Sequence, residues 1–243
     1  MKKYIPNFIT GLNAVSGCIA VYMAFNGLYV QASIFIFIGA LFDFFDGMSA
    51  RLLNAYSDMG KELDSLSDMI SFGFAPAAIA YALLSDATQM DLTELFDGNL
   101  KAAVLLIPFI MVMFSGLRLA KFNIDTRQTT SFIGVPTPAN AILWASFPII
   151  LKYGDIEWIK ELINNEFFII VLSLFMAPML TAEIPMFSFK MKSLHLKDNY
   201  TRYIFLLTTV ILVAVVGISF MAFMIPMYVL FSIAENIILN KKA

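Results

Sequence analysis

Residues 43–68 read DFFDGMSARLLNAYSDMGKELDSLSD and carry two pairs of aspartates at the ends of two strongly apolar segments. Asp43 and Asp46 stand at i and i+3, and Asp64 and Asp68 stand at i and i+4. Ionisable side chains at membrane depth are costly, so their presence indicates a function. Four carboxylates that converge from two helix ends indicate a site for divalent metal, because nothing else nearby supplies enough positive charge.

The composition of the chain indicates a protein that crosses the membrane several times. Of its 243 residues, 60% are hydrophobic and 14% are charged, whereas a soluble domain is usually about half apolar and about a quarter charged. One globular core cannot hide this excess. The prediction is therefore an all-α bundle of about eight transmembrane helices, forming a single domain over residues 1–243. The net charge of −2 gives no reason to expect nucleic acid as a partner.

The predicted spans follow from the rule of about twenty apolar residues per crossing. The last two predicted spans meet around Gly217, so one long tilted helix, and seven spans in all, is the alternative. The eight spans are 8–27, 30–53, 63–84, 101–121, 135–152, 166–186, 202–218 and 220–238.

Lysine and arginine residues predict the orientation of the chain, because cytoplasmic loops are enriched in them. With the N-terminus inside the cell, the opposite side holds only Lys101, Lys152 and Lys160. Both termini and all four aspartates are then expected at the cytoplasmic face of the cell membrane. The basic residues on the cytoplasmic side are Lys2, Lys3, Arg51, Lys61, Arg118, Lys121, Arg127, Lys190, Lys192, Lys197, Arg202, Lys241 and Lys242.

Each aspartate pair lies on one face of its helix, since positions three and four apart are neighbours there. Hard divalent cations prefer oxygen ligands, so Mg²⁺ or Mn²⁺ is expected, with Ca²⁺ as an alternative. Two ions would fit between the pairs and act on one phosphoryl group. Arg51 is suited to phosphate, and the small residues Gly47, Ala50 and Gly60 allow a ligand to approach the backbone. The structural alternatives are an ion-pair cluster for the aspartates and tight helix packing for the small residues.

The aspartates belong to the pattern D-x2-D-G-x2-A-R-x8-G-x3-D-x3-D, which this chain matches at every fixed position. The pattern resembles the signature of the CDP-alcohol phosphotransferase family. That resemblance implies a helical membrane enzyme with a six-helix core, usually a homodimer, which displaces CMP from a CDP-linked alcohol.

The resemblance also implies roles for individual residues. Asp43, Asp46 and Asp64 would be metal ligands, and Asp68 would ligate metal or act as the catalytic base on the attacking hydroxyl. The CDP moiety would lie against Gly47, Ala50, Arg51 and Gly60, and the opening segment with Asn7, Thr10 and Asn13 would touch the nucleotide.

Several further runs resemble the members of this family that use serine as the acceptor. They are KELDSLSDMISFGFAP at 61–76, RLAKFNI at 118–124, FIGVPTPA at 132–139 and IPMFSFK at 184–190. The resemblance implies CDP-diacylglycerol and L-serine as substrates, with membrane lipids around the protein. Serine carries a carboxylate that needs cationic donors, which predicts an acceptor site at Arg118, Lys121, Asn123 and Thr137. Positive-inside topology alone is the other explanation for the two cations.

Other functions stay open at this point. Within the family, the acceptor could instead be glycerol phosphate, inositol or its phosphate, or choline. An archaeal-type ether lipid is a further alternative for the lipid substrate. Outside it, an ion transporter would place acids near the middle of the membrane in repeated halves, whereas here the acids cluster at one face. A non-catalytic scaffold with a relic site is the third alternative.

Overall fold

The computed structural model describes residues 4–125, 132–187 and 196–240, and it confirms an all-α membrane bundle. Arg127, Lys190 and Lys192 lie outside these ranges, as do Lys2, Lys3, Lys241 and Lys242. The α-helices are α1 (Tyr4–Phe25), α2 (Tyr29–Leu52), α3 (Asp58–Asp68), α4 (Ala75–Thr88), α5 (Ile110–Ile124), α6 (Thr137–Tyr153), α7 (Glu157–Ile163), α8 (Glu166–Thr181), α9 (Leu196–Val216) and α10 (Met221–Asn240).

Shorter elements join these helices. A π-helix, Met69–Phe74, links α3 to α4 without a break, and 3₁₀ helices cover Leu92–Leu95, Leu100–Phe109 and Gly217–Phe220. Two short strands, β1 (Phe132–Ile133) and β2 (Pro185–Met186), pair antiparallel with Phe132 opposite Met186.

The number of membrane spans differs from the predicted eight, which is not confirmed. Within the residues that the structure describes, five helical segments could cross a membrane by length and composition, or six if the bent pair α7 and α8 forms one span. The fifth of these is the long segment Asn199–Ile237. Helix α6 has only 17 residues, which is at the lower limit for a crossing.

The segment Asn199–Ile237 folds back on itself as a hairpin of α9 and α10. Arg202, near the start of α9, lies 3.7 Å from Glu235, near the end of α10, which a continuous helix would not allow. The chain reverses at Gly217, whose φ of +65° is one that a residue without Cβ adopts readily. The division of this segment into two helices is therefore as the sequence indicates.

Among the candidate spans of the described residues, the run from α3 through α4 contains the most buried stretch, and this run carries two of the aspartates. Ser57 caps α3 by accepting a hydrogen bond of 3.0 Å from the Gly60 amide. The π-helix then lies directly against α1, because a Cβ on Gly17 would come within 2.5 Å of Ser71 Oγ. Glycine at this position lets the two backbones touch, which fixes the height of the aspartates relative to α1.

Helix α10 holds β2 through three polar side chains spaced four residues apart. The Tyr228 hydroxyl donates to the Phe187 carbonyl over 2.7 Å, and Asn236 Nδ2 donates to the Pro185 carbonyl over 2.6 Å. Between them, the Phe187 amide donates to Ser232 Oγ over 3.4 Å. Since β2 pairs with β1, which leads into α6, these contacts tie the C-terminal hairpin to the start of α6.

Candidate active site

Three of the four predicted aspartates meet in one cluster. Asp43 comes from the C-terminal half of α2, and Asp64 and Asp68 come from α3. Each offers an oxygen, and these atoms lie within 4.8 Å of one another. Asp46 is one turn along α2 from Asp43, is buried, and lies outside this three-membered group. The spacing along each helix explains the arrangement, because residues three and four apart share a face.

The cluster suits a divalent cation. Three carboxylates so close together repel one another when ionised unless a positive charge lies between them. In addition, Asp46 Oδ2 and Asp64 Oδ1 are buried and have no hydrogen-bond partner among the described residues. Buried carboxylate oxygens without donors are the ligand set that hard cations require. Asp43, Asp64 and Asp68 could therefore hold a metal, with Asp46 beside them.

A pocket of about 710 Å³ opens beside the aspartates, within the size range of small-molecule sites. Its walls come from the start of α1, the end of α2, the loop that follows and the first half of α3. Among the lining residues are five of the six predicted CDP contacts, and Asp46 and Asp64 from the aspartate set. The five are Asn7, Thr10, Gly47, Ala50 and Gly60.

Gly60 and Arg51, two of the predicted CDP contacts, have different surroundings in the structure. A Cβ on Gly60 would come within 3.1 Å of Asn7 Oδ1 and of Ser57 Oγ, so glycine keeps the pocket wall close to α1. Arg51, the sixth predicted contact, is not among the lining residues. Its Nε donates to the Gly47 carbonyl over 2.9 Å, and its side chain is exposed.

Of the predicted acceptor residues, Arg118 and Thr137 are buried together. Arg118 Nη1 lies 3.4 Å from Thr137 Oγ1, across the contact between α5 and α6. Arg118 Nε is buried without a hydrogen-bond partner among the described residues. Helix α5, which carries it, packs on the residue after Asp68, since a Cβ on Gly116 would lie 3.2 Å from Met69 Cε. A buried donor that faces no protein acceptor is suited to an anionic group of a ligand.

The other two predicted acceptor residues have protein partners. Lys121 forms a salt bridge with Glu183. Asn123 Nδ2 donates to Ser65 Oγ over 2.9 Å, and the Asn123 carbonyl accepts from Lys61 Nζ over 2.7 Å. These contacts join the end of α5 to α3, immediately beside Asp64.

Sequence reasoning did not single out several residues that the structure places at the site. Tyr56 and Ser57 line the pocket; they fall in the eight-residue spacer of the pattern, where no periodicity marks them. Asn13 was expected at the nucleotide, but it is fully buried and its Nδ2 donates to Asp68 Oδ1 over 3.1 Å. Away from the site, Tyr228, Ser232 and Asn236, which hold Pro185 and Phe187, are polar residues at four-residue spacing in an apolar helix, and that spacing is a signal for them in the sequence.

Comparison with known proteins agrees with this geometry. The model of the CDP-alcohol phosphatidyltransferase family matches residues 3–229. A CDP-diacylglycerol–serine O-phosphatidyltransferase of Bacillus subtilis is 37% identical over 164 residues, which make up 63% of this chain and 82% of that protein. A protein of the same name from Saccharomyces cerevisiae is 38% identical over 167 residues, 62% of this chain and 55% of its own length.

A more distant relative is the archaetidylserine synthase of Methanothermobacter thermautotrophicus. It is 31% identical over 155 residues, 63% of this chain and 61% of that protein. The matched region thus spans most of the Bacillus protein and little more than half of the yeast and archaeal ones. Because the family model covers nearly the whole chain and the aspartate cluster is in place, this protein belongs to the CDP-alcohol phosphatidyltransferase family.

Proposed function

We propose that this chain transfers the phosphatidyl group of CDP-diacylglycerol to the hydroxyl of L-serine and releases CMP. The observation that carries the proposal is the position of Asp68. It belongs to the carboxylate cluster beside the pocket, and Met69, directly after it, packs on Gly116 of α5, the helix that carries the buried Arg118. The site for phosphate chemistry and the predicted site for the serine carboxylate therefore lie on elements that are in direct contact. The names of the serine-transferring relatives support the same acceptor.

The pocket would hold the CDP moiety, with the diphosphate toward the aspartates. Asn7, Thr10 and the small residues Gly47, Ala50 and Gly60 would contact it, and Arg51 would turn from Gly47 to a phosphate. One or two Mg²⁺ or Mn²⁺ ions held by Asp43, Asp46, Asp64 and Asp68 would neutralise charge on the diphosphate. The lipid tails would remain in the bilayer.

On the acceptor side, Arg118 would bind the serine carboxylate, with Thr137 orienting the guanidinium. Asp68 would take the proton of the serine hydroxyl. The hydroxyl oxygen would then form a bond to the phosphorus that bears diacylglycerol, as the bond from that phosphorus to the bridging oxygen of CMP breaks. Holding serine against Asp68 would favour it over water as the nucleophile.

The test is CMP release by the purified protein with CDP-diacylglycerol and Mn²⁺ or Mg²⁺, with and without L-serine. We expect release to depend on serine and to yield an anionic aminophospholipid. Release that ignores serine but responds to glycerol phosphate, inositol phosphate or choline would replace the acceptor. Absence of release with any of these alcohols, from folded and metal-loaded protein, would refute the proposal.

We also propose that the chain is one domain, that its active site and both termini face the cytoplasm, and that it forms a homodimer. The excess of basic residues on the aspartate side supports the orientation. The dimer rests on the family resemblance alone. Light scattering of the detergent-solubilised protein measures the subunit number, and a monomeric mass at full activity would exclude the dimer as a requirement.

A further inference from the structure

We propose that Asn13 is a positioning residue that fixes the carboxylate of Asp68, an inference that rests on the proposed transferase function. Asn13 lies within α1 and is completely enclosed by protein. Its Nδ2 donates to Asp68 Oδ1 over 3.1 Å. It is not among the described residues that line the pocket, so it acts on Asp68 and not on the nucleotide.

Neighbouring elements enclose Asn13. The Ser71 hydroxyl, on the π-helix, donates to the backbone carbonyl of Asn13 over 2.8 Å. Gly17 allows this approach, because its Cβ would come within 2.5 Å of Ser71 Oγ. From α2, a Cβ on Gly39 would lie 3.0 Å from Asn13 Oδ1. The π-helix therefore anchors the backbone of Asn13, and α2 packs against its side-chain amide, so that the direction of the amide toward Asp68 is set by packing.

An amide at this position is not explained by packing alone. Asn13 Oδ1 is buried and has no hydrogen-bond donor among the described residues, which lowers stability. An apolar side chain of similar shape would avoid that cost. Only the donation from Nδ2 to Asp68 makes the amide useful, and it does so without adding a charge. A lysine would compete with a metal for the carboxylate, and an aspartate would repel it.

The hydrogen bond from Asn13 gives the two carboxylate oxygens of Asp68 different roles. Oδ1 accepts from Asn13, which leaves Oδ2 for a metal or for the hydroxyl of the acceptor. Groups that orient a ligating or catalytic carboxylate typically change metal affinity or activity by about 10–100-fold when they are removed. Asn13 itself touches neither substrate, so its effect must pass through Asp68.

The test compares three variants of the full chain in lipid nanodiscs. Asn13→Leu removes the amide at nearly constant volume, and Gly39→Ala keeps the amide but presses a methyl group against it. Ser33→Ala is the control, because Ser33 is also fully buried on α2 but donates to the Tyr29 carbonyl, over 3.1 Å. The readouts are kcat and KM at saturating Mn²⁺, and Mn²⁺ binding by paramagnetic resonance in the absence of substrate.

We expect Asn13→Leu to lower kcat by about 10–100-fold and to weaken Mn²⁺ binding, with the KM for CDP-diacylglycerol changed less than about threefold. Gly39→Ala should show a smaller fall in kcat, and Ser33→Ala none. An unchanged kcat in Asn13→Leu would overturn the proposal. So would a raised KM for CDP-diacylglycerol at full kcat, which would make Asn13 a nucleotide contact.

Two further outcomes are decisive. If Asn13→Leu does not fold, Gly39→Ala carries the test, and wild-type kcat in that variant refutes the proposal. If the wild type releases no CMP with serine, the proposed function fails while Mn²⁺ binding still decides the role of Asn13. Weaker binding in Asn13→Leu but not in Ser33→Ala supports the role, and equal binding overturns it.

Discussion

At the scale of single residues, Asp68 differs from its neighbours in the cluster. Asp43 and Asp64 are partly exposed, whereas Asp68 is buried and accepts a hydrogen bond from Asn13. Arg118 lies on α5, which packs against the π-helix that begins directly after Asp68. A carboxylate that is enclosed, oriented and close to the acceptor side is the one expected to act as the base.

Replacing Asp68 by asparagine should separate binding from turnover. The amide has the same shape but cannot take a proton, so serine-dependent CMP release should fall roughly 10²–10⁴-fold. Metal-dependent binding of CDP-diacylglycerol should persist, because Asp43, Asp46 and Asp64 remain. Steady-state kinetics and equilibrium binding measure the two effects. Glu62→Gln, exposed on α3 and not among the residues that line the pocket, is the control, and near-native turnover in Asp68→Asn would rule out the base.

The two cations predicted at the acceptor should differ sharply. Arg118 is buried, and its Nε has no hydrogen-bond partner within the described part of the chain, whereas Lys121 is paired with Glu183 at the surface. Exposed pairs of this kind contribute about 0–1 kcal/mol. Arg118→Gln should therefore raise the KM for serine at least about tenfold, since a charged hydrogen bond is worth roughly 1.5–3 kcal/mol. Lys121→Gln should change it less than about threefold.

Competition by serine analogues checks that assignment. A serine analogue that lacks the carboxylate should inhibit the wild-type protein and the Arg118→Gln variant equally, because this analogue has no group for Arg118 to bind. An equal rise in KM in the Arg118 and Lys121 variants would instead indicate a general electrostatic effect of the basic face.

At the scale of elements, the site depends on how closely α1 approaches the π-helix. Gly17 and Ser71 are in backbone contact there, and this contact sets the distance from Asn13 to Asp68. π-Helical turns often occur at functional sites. Here the π-helix follows Asp68 directly, so the change of helical geometry begins where the aspartate must face α1 and α2.

Alanine substitutions at two glycines of α1 test this contact. Gly17→Ala would place its Cβ 2.5–2.8 Å from Ser71 atoms, so we expect a loss of about 1–3 kcal/mol in the free energy of unfolding. Gly11→Ala is the matched control, since nothing lies within 4 Å of its Cβ, and the higher helix propensity of alanine should add up to about 1 kcal/mol. Thermal unfolding measures both, and equal Tm values would contradict the close approach.

At the scale of the whole molecule, a cluster of acids inside a membrane bundle must be balanced by bound charge. Asp43, Asp64 and Asp68 converge within 4.8 Å, and the salt bridge of Lys121 is with Glu183. Arg118 supplies one positive charge on the acceptor side. Metal binding should therefore stabilise the folded chain as well as permit catalysis.

Removal of metal should lower both activity and stability. Chelation by EDTA should abolish CMP release and lower Tm, and added Mg²⁺ or Mn²⁺ should restore both. At a metal concentration of 100 times Kd, the stabilisation is about 2.7 kcal/mol. The double variant Asp43→Asn and Asp64→Asn is the control, since its Tm should no longer respond to metal. A wild-type Tm that is indifferent to metal would contradict a metal role for the cluster.

The sequence by itself determined the class of fold, the family and most of the pocket wall. Composition alone excludes a soluble domain, and the fixed spacing of the aspartates places each pair on one helix face. The eight predicted apolar segments all contain helices, although their number as membrane spans is not confirmed. These properties follow from local periodicity, which a single stretch of chain carries.

Only the tertiary structure decided which polar groups have partners. Lys121 meets Glu183, Asn13 meets Asp68, and Tyr228 holds Phe187. Each pair joins residues far apart in the chain, on elements whose relative heights depend on packing, and no local period encodes such a contact. Arg118 and Lys121 are both basic residues of α5, and the sequence does not distinguish them. Only the fold shows that Arg118 is buried and that Lys121 is paired with Glu183, and these two properties make Arg118 the better candidate for binding an acceptor.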